Sequence, residues 1–242
     1  MRLQVFLSHS GACSRRKALE LILSGHVTVN DKPATEPSLD VDPDSREVKL
    51  DGVLITPREK KIYILLHKPQ GVVSTVKDAH AGQTVLELLP AALRKGLHPV
   101  GRLDKDTTGV LLLTNDGELT HRISHPSFEV EKTYEVLLNK DAAESDLKAI
   151  GSGVMLEGRK TAPCRVKKLS PGKLEIILHE GRKRQIRRVF SLFHYHVKEL
   201  KRVRQGSLDL GGLKEGEWRF LEDSEVRRLF QDFKFPPFRH RP

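Results

Sequence analysis

Four consecutive apolar residues, Val110-Leu111-Leu112-Leu113, stand between the polar loop GRLDKDTTG and the segment TNDG. A run this uniformly apolar reads as a buried strand. The residues before it, HPVGRLD and KDTTG, suit an exposed loop that leads into the strand, which puts Asp104 at its entrance. Spacing alone leaves two readings of Asp104 open, a turn former or a working carboxylate. Asp106 is read as a turn residue.

Further strand-like runs at 62–66, 134–138, 174–178 and 218–221 are separated by helical stretches of varied length. They predict an α+β domain on a mixed, largely antiparallel sheet flanked by helices. A doubly wound sheet would need regular alternation of strand and helix with a glycine-rich phosphate loop, and neither is seen. Ahead of this domain, SRRKALELILSGHVTVNDKPA predicts a short helix capped by Ser14, with Ala18, Leu21 and Ile22 on one face and its end at Gly25. Asn30-Asp31 can then turn the next strand back on itself. The polar stretch DGVLITPREKK, with Pro57, separates the two units. The expected division is a small domain at 1–50, a linker at 51–60, a larger domain at 61–230 and a tail at 231–242 that is flexible or draped over the surface.

Lysine and arginine number 42 against 32 aspartates and glutamates, a formal net charge of +10. The excess points to a polyanionic partner, with nucleic acid favoured over an acidic membrane surface. No segment approaches the apolar length of a membrane span, and MRLQVFLSHSG is too short and too soon polar for a secretory signal, so a cytoplasmic location is expected. Cys13 and Cys164 lie far apart without metal-ligand spacing, which argues against a disulfide framework and a zinc site. His194 and His196 likewise lack a third ligand nearby.

In EGRKRQIRRVFSLFHYH, Ile186, Val189, Phe190 and Phe193 share one helical face, leaving a dense basic side with Arg182, Lys183, Arg184, Arg187 and Arg188. Most of these suit phosphate contact or plain solvation. One could turn inward to a buried acid, because arginine keeps its charge and its fork matches a carboxylate. In EVEKTYEVLLN, strand alternation sets Lys132 and Tyr134 on one side, where Tyr134 lines a cleft or fills the core. Arg15, Arg16 and Lys17 make a basic face on the first helix, and Lys198, Lys201, Arg202 and Arg204 extend the basic surface.

Taken together, LLHKPQGVVST, VGRLDKDTTGVLLLTNDGELTHRISHPS, VEKTYEV and EGRKRQIRRVF occur in an order and spacing that resembles the bacterial ribosomal RNA pseudouridine synthases. The stretch from Arg2 to about Leu50 resembles the small S4-like RNA-binding domain, and the combination is similar to the branch that modifies single uridines of ribosomal RNA. The resemblance extends to about Phe230 and departs slightly at Val110, where leucine is more usual. It implies that Asp104 is the essential aspartate, Tyr134 the active-site tyrosine, and Arg187 the basic residue that pairs with Asp104 and keeps it ionised. It also implies that Arg102 helps hold the extruded nucleotide. RNA contacts are expected from Arg15, Arg16, Lys17, Lys132, Arg182, Lys183, Arg184 and Arg188.

The implied reaction detaches uracil from its ribose, turns it and rejoins it through a ring carbon. Nothing is gained or lost, so neither cofactor nor metal is required. The implied partner is ribosomal RNA, with the large subunit favoured by the EGRKRQIRRVF segment, and a monomer is expected. Two alternatives remain: a non-catalytic RNA-binding or ribosome-assembly factor on the same fold, and a metal-dependent nuclease using Asp104, Asp106 and Asp116.

Overall fold

The computed structural model describes residues 1–42, 46–56, 60–76 and 82–231. Its N-terminal unit contains helices α1 (Leu3–His9) and α2 (Arg15–Leu23) and strands β1 (Val27–Val29), β2 (Lys32–Pro33), β3 (Val48–Leu50) and β4 (Val53–Leu54). Ser14 caps α2 as its sequence predicts, its hydroxyl accepting the Lys17 N–H at 3.2 Å. Asn30 and Asp31, with φ of 50° and 60°, form the two-residue turn between β1 and β2. The Asn30 side-chain oxygen also accepts the Glu47 N–H at 3.0 Å, which steers the returning chain into β3. Ala18 and Ile22 of α2 pack with Leu3 and Phe6 of α1 and with Val27 and Val48 of the sheet. That burial leaves Arg15, Arg16 and Lys17 exposed.

The stretch read as a linker at 51–60 begins instead as part of this sheet. Asp51-Gly52, with φ of 49° and 78°, makes a second two-residue hairpin turn. β4 then pairs with β3, and Ile55 donates its N–H to the Val48 carbonyl at 2.8 Å while packing on the same core. Pro57 and its neighbours at 57–59, and the tail expected at 231–242 apart from Gln231, lie outside the described residues.

The larger unit runs β5 (Tyr63–Lys68), α3 (Ala91–Arg94), β6 (His98–Pro99), β7 (Thr108–Thr114), α4 (Gly117–Ser124), β8 (Lys132–Leu138), α5 (Glu144–Gly151), β9 (Met155–Leu156), β10 (Arg159–Lys160), β11 (Arg165–Ser170) and β12 (Lys173–Leu178). It continues with α6 (Gln185–Leu192), β13 (Val197–Gln205), β14 (Leu208–Asp209), β15 (Trp218–Phe220) and α7 (Asp223–Gln231). Its sheet has, among the described residues, nine strands in the order β11-β12-β8-β13-β7-β5-β15, with β14 beside β13 and β6 beside β7. β7 and β13 run parallel and the other pairs are antiparallel, so the sheet is mixed as expected.

The apolar run of β7 is buried on both faces. Leu111 and Leu113 join Ile64, Val136, Ile176 and Phe190 on one side. Val110 and Leu112 join Leu65, Leu119, Ile123 and Leu229 on the other. Fully burying each such side chain contributes about 1.5–3 kcal/mol, so this strand binds both layers of the domain together. Its polar ends serve the same purpose. Asp116, 2% exposed, caps α4 by accepting the Glu118 and Leu119 N–H groups at 3.0 and 3.3 Å. It also accepts the Tyr63 hydroxyl at 2.8 Å and pairs with Lys61 at 2.9 Å. Burial works against its charge, but these donors outweigh burial and hold its carboxyl below the usual carboxylate range.

The two units meet at the start of α4. A β-carbon on Gly117 would lie 2.7 Å from His9 Nε2 and 3.5 Å from the Arg15 guanidinium. Glycine there lets the His9 and Arg15 side chains of α1 and α2 lie directly against α4, whereas a β-carbon would push the His9 ring aside. A more severe constraint falls inside the sheet, where Gly109 adopts φ of +113° and a β-carbon would come within 2.1 Å of the Arg202 carbonyl oxygen. That backbone atom cannot swing away, because Arg202 is held between β7 and β8. Gly109→Ala should therefore destabilise the protein by at least about 3 kcal/mol, from strain together with the clash. For a chain of this size that is a fall in Tm of roughly 6–12 °C by calorimetry. A Tm within about 2 °C of the parent would show that β13 can move aside.

Candidate active site

An open groove of about 800 Å³ lies where the turn ahead of β7 faces β8 and the segment leading into α6. Asp104, Tyr134, Arg102, Lys183 and Arg184 are among its lining residues. The turn closes on itself when Thr107 donates its N–H to the Asp104 carbonyl at 3.1 Å. It is also tied down from beneath. Ser74 donates its hydroxyl to the Leu103 carbonyl at 2.9 Å and accepts the Leu103 N–H at 3.2 Å. Lys68, fully buried at the end of β5, donates to the Thr107 carbonyl at 2.8 Å, to Pro69 at 2.9 Å and more weakly to Lys105 at 3.4 Å. Burial pushes the Lys68 ammonium down to about 8, opposed by the charges of Asp106, Glu215 and Asp104.

Nothing in the motif LLHKPQGVVST singles out Lys68 or Ser74 beyond their place in it. The available signal was a lysine closing the apolar strand IYILLHK, since such a charge must find partners when the strand is buried.

The two aspartates of the turn have different surroundings. Asp104 is half-buried at the groove, and among the described residues its carboxylate has no hydrogen bond or ion pair. Asp106 is gripped from α6. Arg184 donates to both its oxygens at 3.0 Å, and Arg187 Nε stands 3.3 Å from Oδ2. Burial works to raise the Asp106 carboxyl, but the Arg184 hydrogen bonds and the charges of Arg187 and Arg184 prevail and hold it below the usual range.

This arrangement corrects two expectations. Arg187 does not pair with Asp104: its guanidinium is anchored on the Val197 carbonyl at 2.8 Å and the Asp106 carbonyl at 2.9 Å, which brings its Nε to the Asp106 carboxylate. Nor is Asp106 merely a turn former, because the turn presents its carboxylate to α6 while Asp104 faces the groove. The nuclease constellation also dissolves, since Asp116 is committed to capping α4 and Asp106 to two arginines.

Tyr134 does both things foreseen for it. Only 9% exposed, it belongs to the core cluster and lines the groove as well. Arg102 is exposed beside Asp104, and Lys183 is exposed before α6. Other basic residues are already engaged. Arg182 donates to the Arg159 carbonyl at 2.9 Å and the Lys160 carbonyl at 2.5 Å, holding the β9–β10 hairpin, and also pairs with Glu180 at 3.3 Å. Arg188 pairs with Glu157 at 2.5 Å.

Lys132 does not line the groove. Its ammonium donates to the Val130 and His179 carbonyls at 3.0 and 3.1 Å, and burial, followed by the nearby Arg202 charge, pushes it down to about 8. Arg202, expected on the basic surface, is 2% exposed and donates to the Val110 carbonyl at 2.8 Å. It lies in β13, a central strand that periodicity did not reveal, because VKELKRVRQ lacks a clean apolar alternation.

Comparison with known proteins agrees with this geometry. Residues 62–192 match the RNA pseudouridylate synthase family and residues 1–47 match the S4 domain. The chain is 40% identical over 234 residues to ribosomal large subunit pseudouridine synthase B of Bacillus subtilis (strain 168), covering 94% of this chain and 95% of that one. It is also 40% identical over 233 residues to the dual-specificity RNA pseudouridine synthase RluF of Escherichia coli (strain K12), covering 96% of this chain and 79% of that one. Among solved structures, a crystal structure of a pseudouridylate synthase superposes with a TM-score of 0.71 at 32% identity, covering 95% of this chain and 99% of that one. With its α+β sheet, its S4 unit and a matched family domain that carries Asp104, Tyr134 and Arg187, this chain belongs to the RNA pseudouridylate synthase family.

Proposed function

We propose that this chain isomerises a specific uridine of large-subunit ribosomal RNA to pseudouridine, acting as a cytoplasmic monomer without metal or cofactor. The similarity to a ribosomal large subunit pseudouridine synthase supports the ribosomal substrate. No described helix is long and apolar enough to cross a membrane. One observation carries the catalytic reading. In a turn where Asp106 is closed off by two arginines, the Asp104 carboxylate keeps its lone pairs available at the groove. A nucleophile or base needs that availability, whereas a structural carboxylate is normally consumed by its partners.

The N-terminal unit, which extends through β4 to Ile55, acts as the RNA-holding unit and 61–230 as the catalytic unit. The target base must leave its stack to be reached, at a cost of a few kcal/mol, and phosphate contacts offset this. Arg102 and Lys183, exposed along the groove, and Arg15, Arg16 and Lys17 on α2 supply them. A groove of about 800 Å³ has room for one extruded nucleotide. Asp104 acts on the sugar or ring. Tyr134 stacks on the uracil and assists departure of the ring-carbon proton, a role suited to a rigid aromatic with a polar tip. Arg187 contributes by holding the turn that presents Asp104, through the Asp106 carbonyl.

Asp104→Asn preserves shape and removes the charge. In single-turnover assays on ribosomal RNA its rate of pseudouridine formation should fall by about three powers of ten or more. RNA affinity at fixed salt should stay within a few-fold of the parent. Substantial turnover by this variant would remove Asp104 from the chemistry.

Replacing Arg15, Arg16 and Lys17 together by alanine should weaken RNA binding and flatten its salt dependence. Each single-strand phosphate contact contributes about 0.7 to the log–log slope, so losing three reduces it by about two. Chemistry on RNA already bound should persist. A titration series with an unchanged slope would mean that this face does not touch RNA.

A further inference from the structure

Asp106, two residues along the turn from Asp104, is paired with two arginines, and the reaction itself gives it nothing to do. Its two oxygens take both arms of the Arg184 fork at 3.0 Å, and Arg187 Nε lies 3.3 Å from one of them. Arg187 also reaches past the carboxylate to the Asp106 backbone carbonyl at 2.9 Å. Asp106 is therefore tied to α6 through its side chain and its backbone together. Arg184 caps α6 with φ of +51°, a left-handed conformation that is unfavourable for a residue with a β-carbon. From that conformation its guanidinium meets the carboxylate two-point, the geometry that fixes direction as well as distance.

The opposite side of the same turn is held differently. Lys68 and Ser74 bond to the backbone of Leu103, Lys105 and Thr107 from beneath. They fix the height of the turn above the sheet. Nothing in that set reaches the Asp104 side chain. The lateral position of the turn, toward Tyr134 across the groove, depends on the contacts from α6.

We propose that Asp106 is a positioning residue, whose carboxylate clasps the turn to Arg184 and Arg187 and so sets where Asp104 stands in the groove. The proposal rests on the catalytic reading of Asp104.

The test compares the parent with Asp106→Asn and Asp106→Glu. Asparagine keeps the local turn hydrogen bonding but sets an amide against two guanidinium groups. Its single-turnover rate should drop about 10–100-fold, the scale of a misplacement of about 1 Å, while RNA affinity changes by less than about threefold. Asp106→Glu retains a two-oxygen acceptor and should recover part of the rate, which loss of fold stability alone would not predict if both variants melt alike. Amide hydrogen exchange on the RNA-free proteins supplies a readout independent of activity. Exchange across 101–109 should rise about tenfold or more in Asp106→Asn, with α2 and β1 unchanged.

Parental turnover together with parental exchange in Asp106→Asn overturns the proposal. So does tighter RNA binding at unaltered turnover, which would make Asp106 a mere screen for Arg184. Failure of the parent to form pseudouridine on ribosomal RNA would overturn the functional reading, and the exchange measurement would then decide the clasp by itself.

Discussion

The parallel pairing of β7 with β13 is the contact on which the rest of the structure hangs. Gly109 makes it possible, because the Arg202 backbone lies where any β-carbon would be. Once the two strands are joined, β13 links β7 to β8 and so brings Tyr134 to the same groove as the turn that carries Asp104. β7 itself buries Leu111 and Leu113 on one face and Val110 and Leu112 on the other. The loop that precedes it therefore emerges from a rigid base. A site assembled on such a base can hold its groups within the small tolerances that catalysis needs.

Charge around the groove is distributed unevenly, and the distribution has a physical logic. Lys68 is buried and Lys132 half-buried, the ammonium groups of both satisfy backbone carbonyls, and both are pushed down to about 8, chiefly by loss of solvent. Arg182 and Arg188 stabilise neighbouring segments, and Arg184 with Arg187 closes on Asp106. Each of these contacts gives a cation a hydrogen-bond or ion-pair partner other than the Asp104 carboxylate. The exposed Arg102 and Lys183 line the groove and are free of such internal commitments among the described residues. A strongly basic protein thus keeps one carboxylate available by pairing its neighbours internally.

The N-terminal unit was nearly readable from local signals. Ser14, the spacing of Ala18 and Ile22, and Asn30-Asp31 each act over a few residues, and each does in the structure what its chemistry predicts. Asp51-Gly52 carries the same kind of signal, yet its polar setting made it look like a linker. The buried strand β7 and the apolar face of α6 were equally legible, since an apolar run or stripe must be covered. β13 was not. Its charged residues are split between solvent and the interior, with Arg202 buried, a bulge interrupts its register near Arg202, and its position between β7 and β8 comes from long-range pairing.

The chain's sequence by itself determined the identity of the parts: a basic small unit, a buried strand with an acid at its entrance, a tyrosine strand and an arginine-rich helix. It did so because composition, periodicity and capping act locally, and because the motifs stand in an order that resembles one family. Only the tertiary structure decided which partners meet. Arg187 pairs with Asp106 and leaves Asp104 open to the groove, and Lys132 and Arg202 turn to backbone carbonyls. Residues two apart in a tight turn send their carboxylates to different neighbours, and spacing along the chain carries no record of which neighbour lies on which side.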